Sequence, residues 1–472
     1  MTKPTPRPRV AIAGASGFVG SHVVPALREQ FHVIGLARQP PEATDGIEWR
    51  ACDLFSASST REALEGVDVA VYLVHSMMPS SRLFQGHFHD TDLLLADNFV
   101  RACTHHGVKQ ILYLGGLVPD AGFVSQHLQS RHEVEEVLQL SGIPVTALRA
   151  GMVVGAGGSS FEILRSLVSR LPWMVLPKWT QSLGQAVHVD DVVAVLKACI
   201  LDPSRMAKTF NVTNGESLSY ELMLRLTAGA MGKTRRMLPV PIASTGFSKR
   251  WVQLFSRSSY ELVSPLIDSL QCDLPQPQPE PEIAGLIQHR SFKEMLRHAF
   301  DAPHADLARP PRALATGAQQ STVRSVQRLP PMPDHDTRFI SNEYLTWLPK
   351  FFRLLVRVTR VEATTRLTFS LAFWPVPLLV LELIEAASGD DRDKFHIVGG
   401  LLSKTTTTGW FEFRQVANRR HTLAAIHGFV PALPWLIYRL SQAPLHAWVM
   451  RAFGRHLARI KAGPPRARGD GR

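Results

Sequence analysis

The sequence of 472 residues has little cysteine and no CxxC spacing. Its four cysteines are scattered along the chain, at Cys52, Cys103, Cys199 and Cys272. This scarcity excludes a disulfide scaffold and a zinc ribbon, and it is typical of proteins in a reducing compartment. His427 and His446 have no third ligand at metal spacing, so we expect no metal site. Because the cysteine content is typical of a reducing compartment, we expect a cytoplasmic location.

Charged residues are also few, at 19% of the chain, although the formal net charge is +12. A basic chain can bind nucleic acid or an anionic membrane surface. Half of the excess, however, lies in the segment from Arg451 to Arg472, which contains one acidic residue, Asp470. The rest of the chain is only mildly basic, so we expect no nucleic-acid partner.

No apolar run is long enough for a clear membrane span. The nearest candidate, Leu367–Ala387, contains Pro375 and Pro377 in its middle and Glu382 and Glu385 in its second half. A spanning helix needs about 20 mostly apolar residues. The pattern therefore predicts two strands with a turn at the prolines.

Residues 9–158 alternate between strand-like apolar runs and helical patterns. Alternation of this kind predicts an α/β fold, a Rossmann-type doubly wound parallel sheet with helices on both faces. We expect this domain to cover 8–300, with substrate-side segments in 151–300. The predicted strands are Val10–Ala13, His32–Ala37, Val69–Val74, Ile111–Leu114, Val145–Arg149, Gln185–Val189 and Thr209–Val212.

The composition changes at residues 301–337, which are rich in Pro, Ala, Ser and Gln and are predicted to be a linker. A smaller C-terminal α+β domain follows at 338–462, and a basic disordered tail at 463–472. Helix is expected from Pro431 to Ile460, with an interruption near Pro444. The predicted strands of this domain are Arg366–Trp374, Leu378–Ala386, Phe395–Leu402 and Gly409–Val416.

A glycine-rich segment carries the strongest chemical signal. It follows the first predicted strand and opens a helix, and it reads Gly14-Ala-Ser16-Gly17-Phe18-Val19-Gly20. Glycines at such a turn let the backbone approach a pyrophosphate, and the helix N-terminus offers free N–H groups and a positive dipole end. We therefore predict dinucleotide binding.

The G-x-x-G-x-x-G spacing resembles the extended and atypical short-chain dehydrogenase/reductase superfamily, in particular NmrA-like and triphenylmethane-reductase-like proteins with an extra C-terminal domain. The resemblance covers about 8–300. It implies that Arg38, after the second strand, pairs with the 2′-phosphate of NADP, so NADP is favoured over NAD. The other cofactor-binding residues implied are Asp53 and Leu54 near adenine, Val74, His75 and Ser76 near the ribose, and Gly115.

The family's catalytic pattern is incomplete. Classical members have a Ser after the fifth strand and Tyr-x-x-x-Lys on the next helix, but here the strand ends Leu114-Gly115-Gly116 and the helix has no Tyr. His127 and Arg131 stand at the expected positions with i, i+4 spacing. Either His127 is the acid and Arg131 holds the nicotinamide ribose, or His127 is a polar remnant of a former site. Nearby apolar residues line a substrate pocket or belong to the core, namely Phe161, Leu164, Val168, Trp173 and Trp179.

The C-terminal domain resembles the START-like (SRPBCC) ligand-binding fold in the order of its elements. Its helix Trp448–Ile460 is either an interfacial membrane helix or a core-packed helix. The sequence as a whole favours an NADPH-dependent oxidoreductase acting on an apolar small molecule, with peripheral membrane contact as an option. The alternative is a redox-inactive NADPH-binding sensor or structural protein of the NmrA-like kind. A sugar-nucleotide epimerase is disfavoured because its chemistry relies on the absent Tyr.

Overall fold

The chain divides into two structural units. The first comprises residues 1–78 and 98–312, and the second comprises residues 79–97 and 313–472. The computed structural model describes residues 6–41, 46–76, 83–119, 124–240, 253, 260–271, 273–302, 322–353, 355–361, 365–404 and 409–462.

The first unit is built on a sheet of seven strands, in which every adjacent pair is parallel. This confirms the Rossmann-type fold. The strands lie in the order Thr209–Val212, Val145–Ala150, Gln110–Gly116, Val69–Tyr72, Arg9–Ala13, His32–Ala37 and Ile47–Ala51.

Burial explains why these segments become strands. A parallel sheet covered on both faces needs continuous apolar runs, and Val10, Ile12, Val69 and Val71 are fully buried. Helices lie on most connections between successive strands, which lets these strands run parallel, but the described part of the connection 38–46 contains none. The boundary between the two units falls within the helix Phe88–His105. The other described helices of the first unit are Phe18–Leu27, Ala57–Ala63, Gln126–Gln139, Ser159–Arg170, Val189–Cys199, Tyr220–Ala230, Tyr260–Ser269, Pro281–Ala284 and Phe292–Asp301.

Two small sheets complete the first unit. One has the order Ser217–Ser219, Leu183–His188 and Met152–Val154, and the other pairs Arg236–Pro239 with Trp173–Leu176. The residues that sequence analysis placed in either a pocket or the core are mostly core. Phe161, Leu164 and Val168 are buried in one cluster and Trp179 packs against it, whereas Trp173 is exposed beneath the Arg236 guanidinium.

The second unit contains an eight-stranded mixed sheet. Its strands pair antiparallel except for Leu83–Gly86, which pairs parallel with Val323–Leu329. The order is Val356–Val361, Arg366–Leu371, Trp374–Leu383, Arg392–Gly399, Trp410–Val416, His421–Phe429, Val323–Leu329 and Leu83–Gly86.

The linker prediction was wrong for Val323–Leu329, which is a strand of this sheet with Val323, Val326 and Leu329 buried. Residues 303–321 of that linker and the predicted tail 463–472 lie outside the described residues. The segment Leu367–Ala387 does form two strands, with the turn at Ala372 and Phe373, just before the prolines. No helix in the described part of the chain has the length and apolarity to span a membrane.

In the described residues, the second unit contains the first part of the helix Phe88–His105 and the helices Thr337–Phe351, Trp435–Leu440 and Gln442–Ala462. The predicted interruption falls at Ser441, not at Pro444, because Pro444 lies in the first turn of the last helix, where a missing N–H costs no hydrogen bond. Val449, Phe453 and Leu457 are buried in the core. These three residues are therefore packed in the core, whereas Trp448 near the start of the last helix is 44% exposed. The START-like assignment stays a prediction.

Candidate nucleotide-binding site

The glycine-rich turn lies at the carboxyl end of the strand Arg9–Ala13. That strand is flanked by Val69–Tyr72 on one side and His32–Ala37 on the other, so the chain crosses over in opposite directions from it. Such a switch point is where open parallel sheets bind nucleotides. Gly14 has a φ of +90°, and the Gly17 N–H donates to the Gly14 carbonyl oxygen at 2.9 Å.

The third glycine of the turn allows the helix to pack against the loop. A Cβ at Gly20 would lie 2.2 Å from the Gly14 carbonyl oxygen and 2.7 Å from the Ala15 Cα. Gly17 is the N-cap residue of the helix Phe18–Leu27, and because glycine has no side chain, no side-chain oxygen caps the helix. The first N–H groups of this helix therefore face a ligand or water, as a phosphate site requires.

The other residues of the turn take different environments. Ser16 is exposed and Val19 packs partly against the core of the first unit. The Phe18 ring lies against a second glycine loop, since a Cβ at Gly155 or Gly158 would come within about 3 Å of it. This contact was not foreseen from the sequence, although the closely spaced glycines at 155–158 were a signal for it.

Arg38 is exposed and directly follows the strand His32–Ala37. Asp53 follows the third strand, and its carboxylate accepts from the Phe55 N–H at 3.2 Å. The neighbouring Leu54 is buried, and the Asn98 side-chain amide donates to its carbonyl oxygen at 2.9 Å. Asp53 and Leu54 thus shape the turn beside the sheet edge, while their contact with adenine stays a prediction.

Two histidines that sequence analysis assigned to different roles lie together. His75 Nε2 and His127 Nδ1 are 3.0 Å apart, and the two ring planes are inclined by 6°. His75 follows the strand Val69–Tyr72, in the loop that also holds Val74 and Ser76. His127 lies in the first turn of the helix Gln126–Gln139, which the Ser125 side chain caps. A hydrogen bond between two imidazoles needs one N–H and one lone pair, so a single proton lies between these atoms.

The surroundings keep His75 neutral. Burial lowers the pKa of His75 well below its ordinary value of 6.5, and the nearby Arg131 guanidinium lowers it further. A neutral His75 can accept from a protonated His127 through Nε2, or donate to a neutral His127 from the same atom. Arg131 therefore acts on the pair through its charge, one helical turn after His127.

The strand Gln110–Gly116 ends without a hydroxyl side chain. The Tyr113 ring is buried and its hydroxyl donates to the Arg131 carbonyl oxygen at 2.9 Å. A Cβ at Gly115 would lie 2.8 Å from that ring, and one at Gly116 would touch Leu128. Gly115 thus leaves room for the Tyr113 ring, which reaches the backbone of the helix that carries His127 and Arg131, and sequence analysis had not foreseen this contact.

The His188-Val-Asp-Asp191 segment, which resembles a structural segment of extended family members, makes structural contacts. The His188 side chain caps the helix Val189–Cys199 by accepting from the Asp190 N–H. Asp191 is buried and accepts from the Gln288 N–H and from Arg290. Burial raises the pKa of Asp191 despite these partners. The segment fixes the loop before the helix Phe292–Asp301.

Comparison with known proteins agrees with this geometry. Residues 14–203 match the model of a family described as NAD(P)H-binding. Auxiliary protein GraX of Staphylococcus aureus is 27% identical over 185 residues, which make up 37% of this chain and 55% of GraX. The matched part therefore spans about half the length of that relative.

Two further relatives are described as sugar-nucleotide enzymes. UDP-glucose 4-epimerase of Vibrio cholerae is 22% identical over 290 residues, which are 56% of this chain and 87% of that protein. The structure of a nucleoside-diphosphate-sugar epimerase from Staphylococcus aureus has a TM-score of 0.50 and 17% identity, and covers 61% of this chain and 99% of that one. The structural likeness shows the fold of the first unit, and the family model shows that residues 14–203 are similar to NAD(P)H-binding domains.

Proposed function

We propose that this chain, whose residues 14–203 form an NAD(P)-binding domain of the short-chain dehydrogenase/reductase kind, is an NADPH-dependent oxidoreductase acting on an apolar small molecule. The observation that carries the proposal is the hydrogen-bonded pair of His75 and His127 at the carboxyl edge of the sheet, beside the glycine-rich turn. The three free, buried cysteines among the described residues, Cys52, Cys103 and Cys199, are in keeping with the expected cytoplasmic location.

The dinucleotide would be held by backbone and charge. The N–H groups that open the helix Phe18–Leu27 face the pyrophosphate, and the absence of a Cβ at Gly14 and Gly20 keeps that approach open. Arg38 pairs with the 2′-phosphate, and Arg131 holds the nicotinamide ribose. When bound, the nicotinamide supplies a hydride to a positioned acceptor.

His127 holds the proton that must accompany reduction. In its protonated form Nδ1 donates to the neutral His75, which leaves Nε2–H to deliver the proton. The pKa of His75 lies well below its ordinary value, so His75 does not take the proton near neutral pH. His127 therefore stays the donor in this hydrogen bond. His127 would thus take the role of the missing Tyr, and His75, as a hydrogen-bond acceptor, would stand in place of the Lys.

The proposed apolar substrate is supported by the lack of charged residues in the loops that surround the histidine pair. The loops 73–76, 114–119 and 151–158 carry no Asp, Glu, Lys or Arg. A nucleoside diphosphate needs cationic or bidentate partners for its phosphates, and these loops offer none. An uncharged, largely apolar acceptor fits them better than a sugar nucleotide does.

Replacing Arg38 tests the nucleotide preference. We expect Arg38→Ala to weaken NADPH binding about 10- to 100-fold, because hydrogen bonds to charged groups contribute about 1.5–3 kcal/mol. NADH binding should not change, since NADH has no 2′-phosphate. A fluorescence titration with both nucleotides measures this, and Arg297→Ala, another exposed arginine of the first unit, is the matched control. Equal losses for NADPH and NADH would refute the assignment of Arg38.

Replacing His127 tests the chemistry. We expect His127→Gln to lower the turnover rate about 10²- to 10⁴-fold, the usual contribution of a positioned acid, while NADPH affinity stays within about twofold. The assay is NADPH oxidation in a screen of quinones, enones and dyes. His132→Gln, a partly exposed histidine on the same helix, is the control. An unchanged rate in His127→Gln with an accepted substrate would remove His127 from the mechanism.

One observation favours a second function, that of a redox-inactive NADPH sensor. The strand Gln110–Gly116 ends in glycines, and the Tyr113 hydroxyl is engaged with the Arg131 carbonyl oxygen. Neither position offers a proton donor of the usual kind. NADPH binding without oxidation of NADPH by any acceptor in the screen would support the sensor.

A further inference from the structure

One end of the second unit exposes an unusual number of large apolar side chains. Phe373 is 76% exposed and Leu440 is 70% exposed. Monomeric proteins rarely leave a contiguous apolar patch of this kind uncovered. We define the apolar end by six residues, Phe373, Trp374, Leu436, Ile437, Leu440 and Trp448, each at least 44% exposed.

Hydrogen bonds and ring contacts bring the segments of the apolar end together. The Ala372 N–H donates to the Leu355 carbonyl oxygen at 2.8 Å, which joins the Phe373 turn to the end of the helix Thr337–Phe351. The Trp448 ring lies 4.7 Å from the Phe351 ring. Trp448 of the last helix therefore lies beside the end of the helix Thr337–Phe351.

The loop at Leu401 and Leu402 links the remaining segments. The Leu401 N–H donates to the Pro377 carbonyl oxygen at 3.0 Å, and the Ala432 N–H donates to the Leu402 carbonyl oxygen at 3.2 Å. The short helix Trp435–Leu440 follows directly. Its Tyr438 is buried and anchors it, so the helix presents Leu436, Ile437 and Leu440 outward.

Charge is distributed asymmetrically along the second unit. The segments of the apolar end, 345–357, 370–379, 400–404 and 430–448, contain no acidic residue. They do contain five basic residues, at Lys350, Arg353, Arg357, Lys404 and Arg439.

Acidic residues gather at the opposite end of the same strands. Glu382, Glu385, Asp390 and Asp391 lie around the turn between the strands Trp374–Leu383 and Arg392–Gly399. This turn is one strand length from Phe373, because Arg366 pairs with Glu382 while Leu371 pairs with Trp374. The apolar end thus carries cations and no acidic residue, whereas the opposite end carries charges of both signs, since Arg366, Arg392 and Arg420 lie there beside the acids.

We propose that the apolar end binds the surface of an anionic lipid bilayer. Apolar side chains on several loops enter the boundary between headgroups and acyl chains, and the surrounding cations meet the lipid phosphates. The exposed faces of Leu436, Ile437 and Leu440 supply apolar area on a helix that lies parallel to the bilayer, with Arg439 beside them. The opposite end, which carries charges of both signs, faces away from the bilayer. The proposal does not depend on the redox chemistry of the first unit.

Co-sedimentation with vesicles tests the proposal on the full chain. The probes are phosphatidylcholine vesicles with and without phosphatidylglycerol, at low and high salt. We expect binding to the anionic vesicles and weaker binding at high salt, since salt screens exposed charges. The double variant Phe373→Ser/Leu440→Ser should lose about tenfold or more in vesicle partitioning. Arg439→Glu should lose affinity for anionic vesicles in particular.

Two matched controls distinguish the apolar end from the rest of the surface. Leu222→Ser removes an exposed leucine from a helix of the first unit, and Arg297→Glu reverses an exposed arginine there. Both should bind vesicles like the unaltered protein, and thermal unfolding of every variant checks that it folds. The proposal would be overturned if the unaltered protein bound neither vesicle type. It would also be overturned if Phe373→Ser/Leu440→Ser and Arg439→Glu both bound vesicles like the unaltered protein. A dimer that the double variant dissociates, without vesicle binding, would overturn it in favour of a second copy of the chain.

Discussion

Gly20→Ala is expected to weaken NADPH binding about 10- to 100-fold. The added Cβ would lie 2.2 Å from the Gly14 carbonyl oxygen and 2.7 Å from the Ala15 Cα, both of which are backbone atoms that no rotamer change can move. Relief requires the helix Phe18–Leu27 to shift away from the turn, and overpacking of this kind costs about 1–3 kcal/mol. The N–H groups that face the pyrophosphate move with the helix, so the cost falls on binding.

Gly229→Ala provides the matched control for this experiment. Gly229 also lies inside a helix, Tyr220–Ala230, but nothing lies within 4 Å of its would-be Cβ. Alanine there should leave NADPH binding unchanged and raise the free energy of unfolding by up to about 1 kcal/mol, the difference in helix propensity. Fluorescence titration measures binding and thermal unfolding measures stability. NADPH affinity of Gly20→Ala within about twofold of the unaltered protein would contradict the role of this turn.

The nucleotide-binding turn was predictable from sequence because its signal is local. Glycines at fixed spacing between a buried strand and a helix satisfy steric demands that arise within seven residues. The same locality explains why His32–Ala37 and Thr209–Val212 were predicted with the observed bounds. Continuous apolar runs bounded by turn residues need little information from the rest of the chain.

The histidine pair shows what sequence reasoning missed at the site. His75 and His127 are 52 positions apart. His75 was assigned a role by its place after a strand, and His127 by its place on a helix with Arg131. Parallel strands direct their carboxyl ends to one edge, so their proximity was within reach of sequence analysis. The 3.0 Å hydrogen bond, however, depends on how closely the helix Gln126–Gln139 approaches the strand, and the sequence alone does not give that distance.

The second unit was predicted less well because its sheet relies on pairing between distant segments. Leu83–Gly86 joins Val323–Leu329 across some 240 positions. Val323–Leu329 lies in the predicted linker, and no element was predicted at Leu83–Gly86. Strand propensity in such segments is weak, and packing decides their structure. The strand Trp410–Val416 was predicted. Apolar and charged residues alternate along it, a pattern that would suggest an exposed charged face. Phe411 and Phe413 face the core as expected, yet Glu412 and Arg414 on the other face are also fully buried.

Arg414→Met is expected to destabilise the second unit by about 3–5 kcal/mol, the usual cost of leaving a buried charge without its partner. Arg414 Nη1 lies 2.9 Å from Asp97 Oδ2, and Nη2 lies 3.1 Å from Glu412 Oε1. Arg366→Met is the matched control, because Arg366 pairs with Glu382 on the same sheet at an exposed position. Its loss should cost at most about 1 kcal/mol. Chemical denaturation measures both.

The charge of Glu412 adds a pH dependence that distinguishes an ion pair from packing. Burial raises the pKa of Glu412, but Arg414, Arg392 and Lys394 outweigh burial and hold the pKa below its ordinary value of 4.5. The stabilisation is therefore present above the pKa of the unfolded chain, and it is lost as pH falls through the lower pKa of the folded state. Arg414→Met should flatten this acid limb, since it removes the principal cation. The double variant Arg414→Met/Glu412→Leu should recover only part of the lost stability, because it removes the carboxylate at 412 but leaves Asp97 without Arg414 and Arg392 without Glu412. An acid limb that stays as steep in Arg414→Met as in the unaltered protein would contradict the ion-pair role of Arg414.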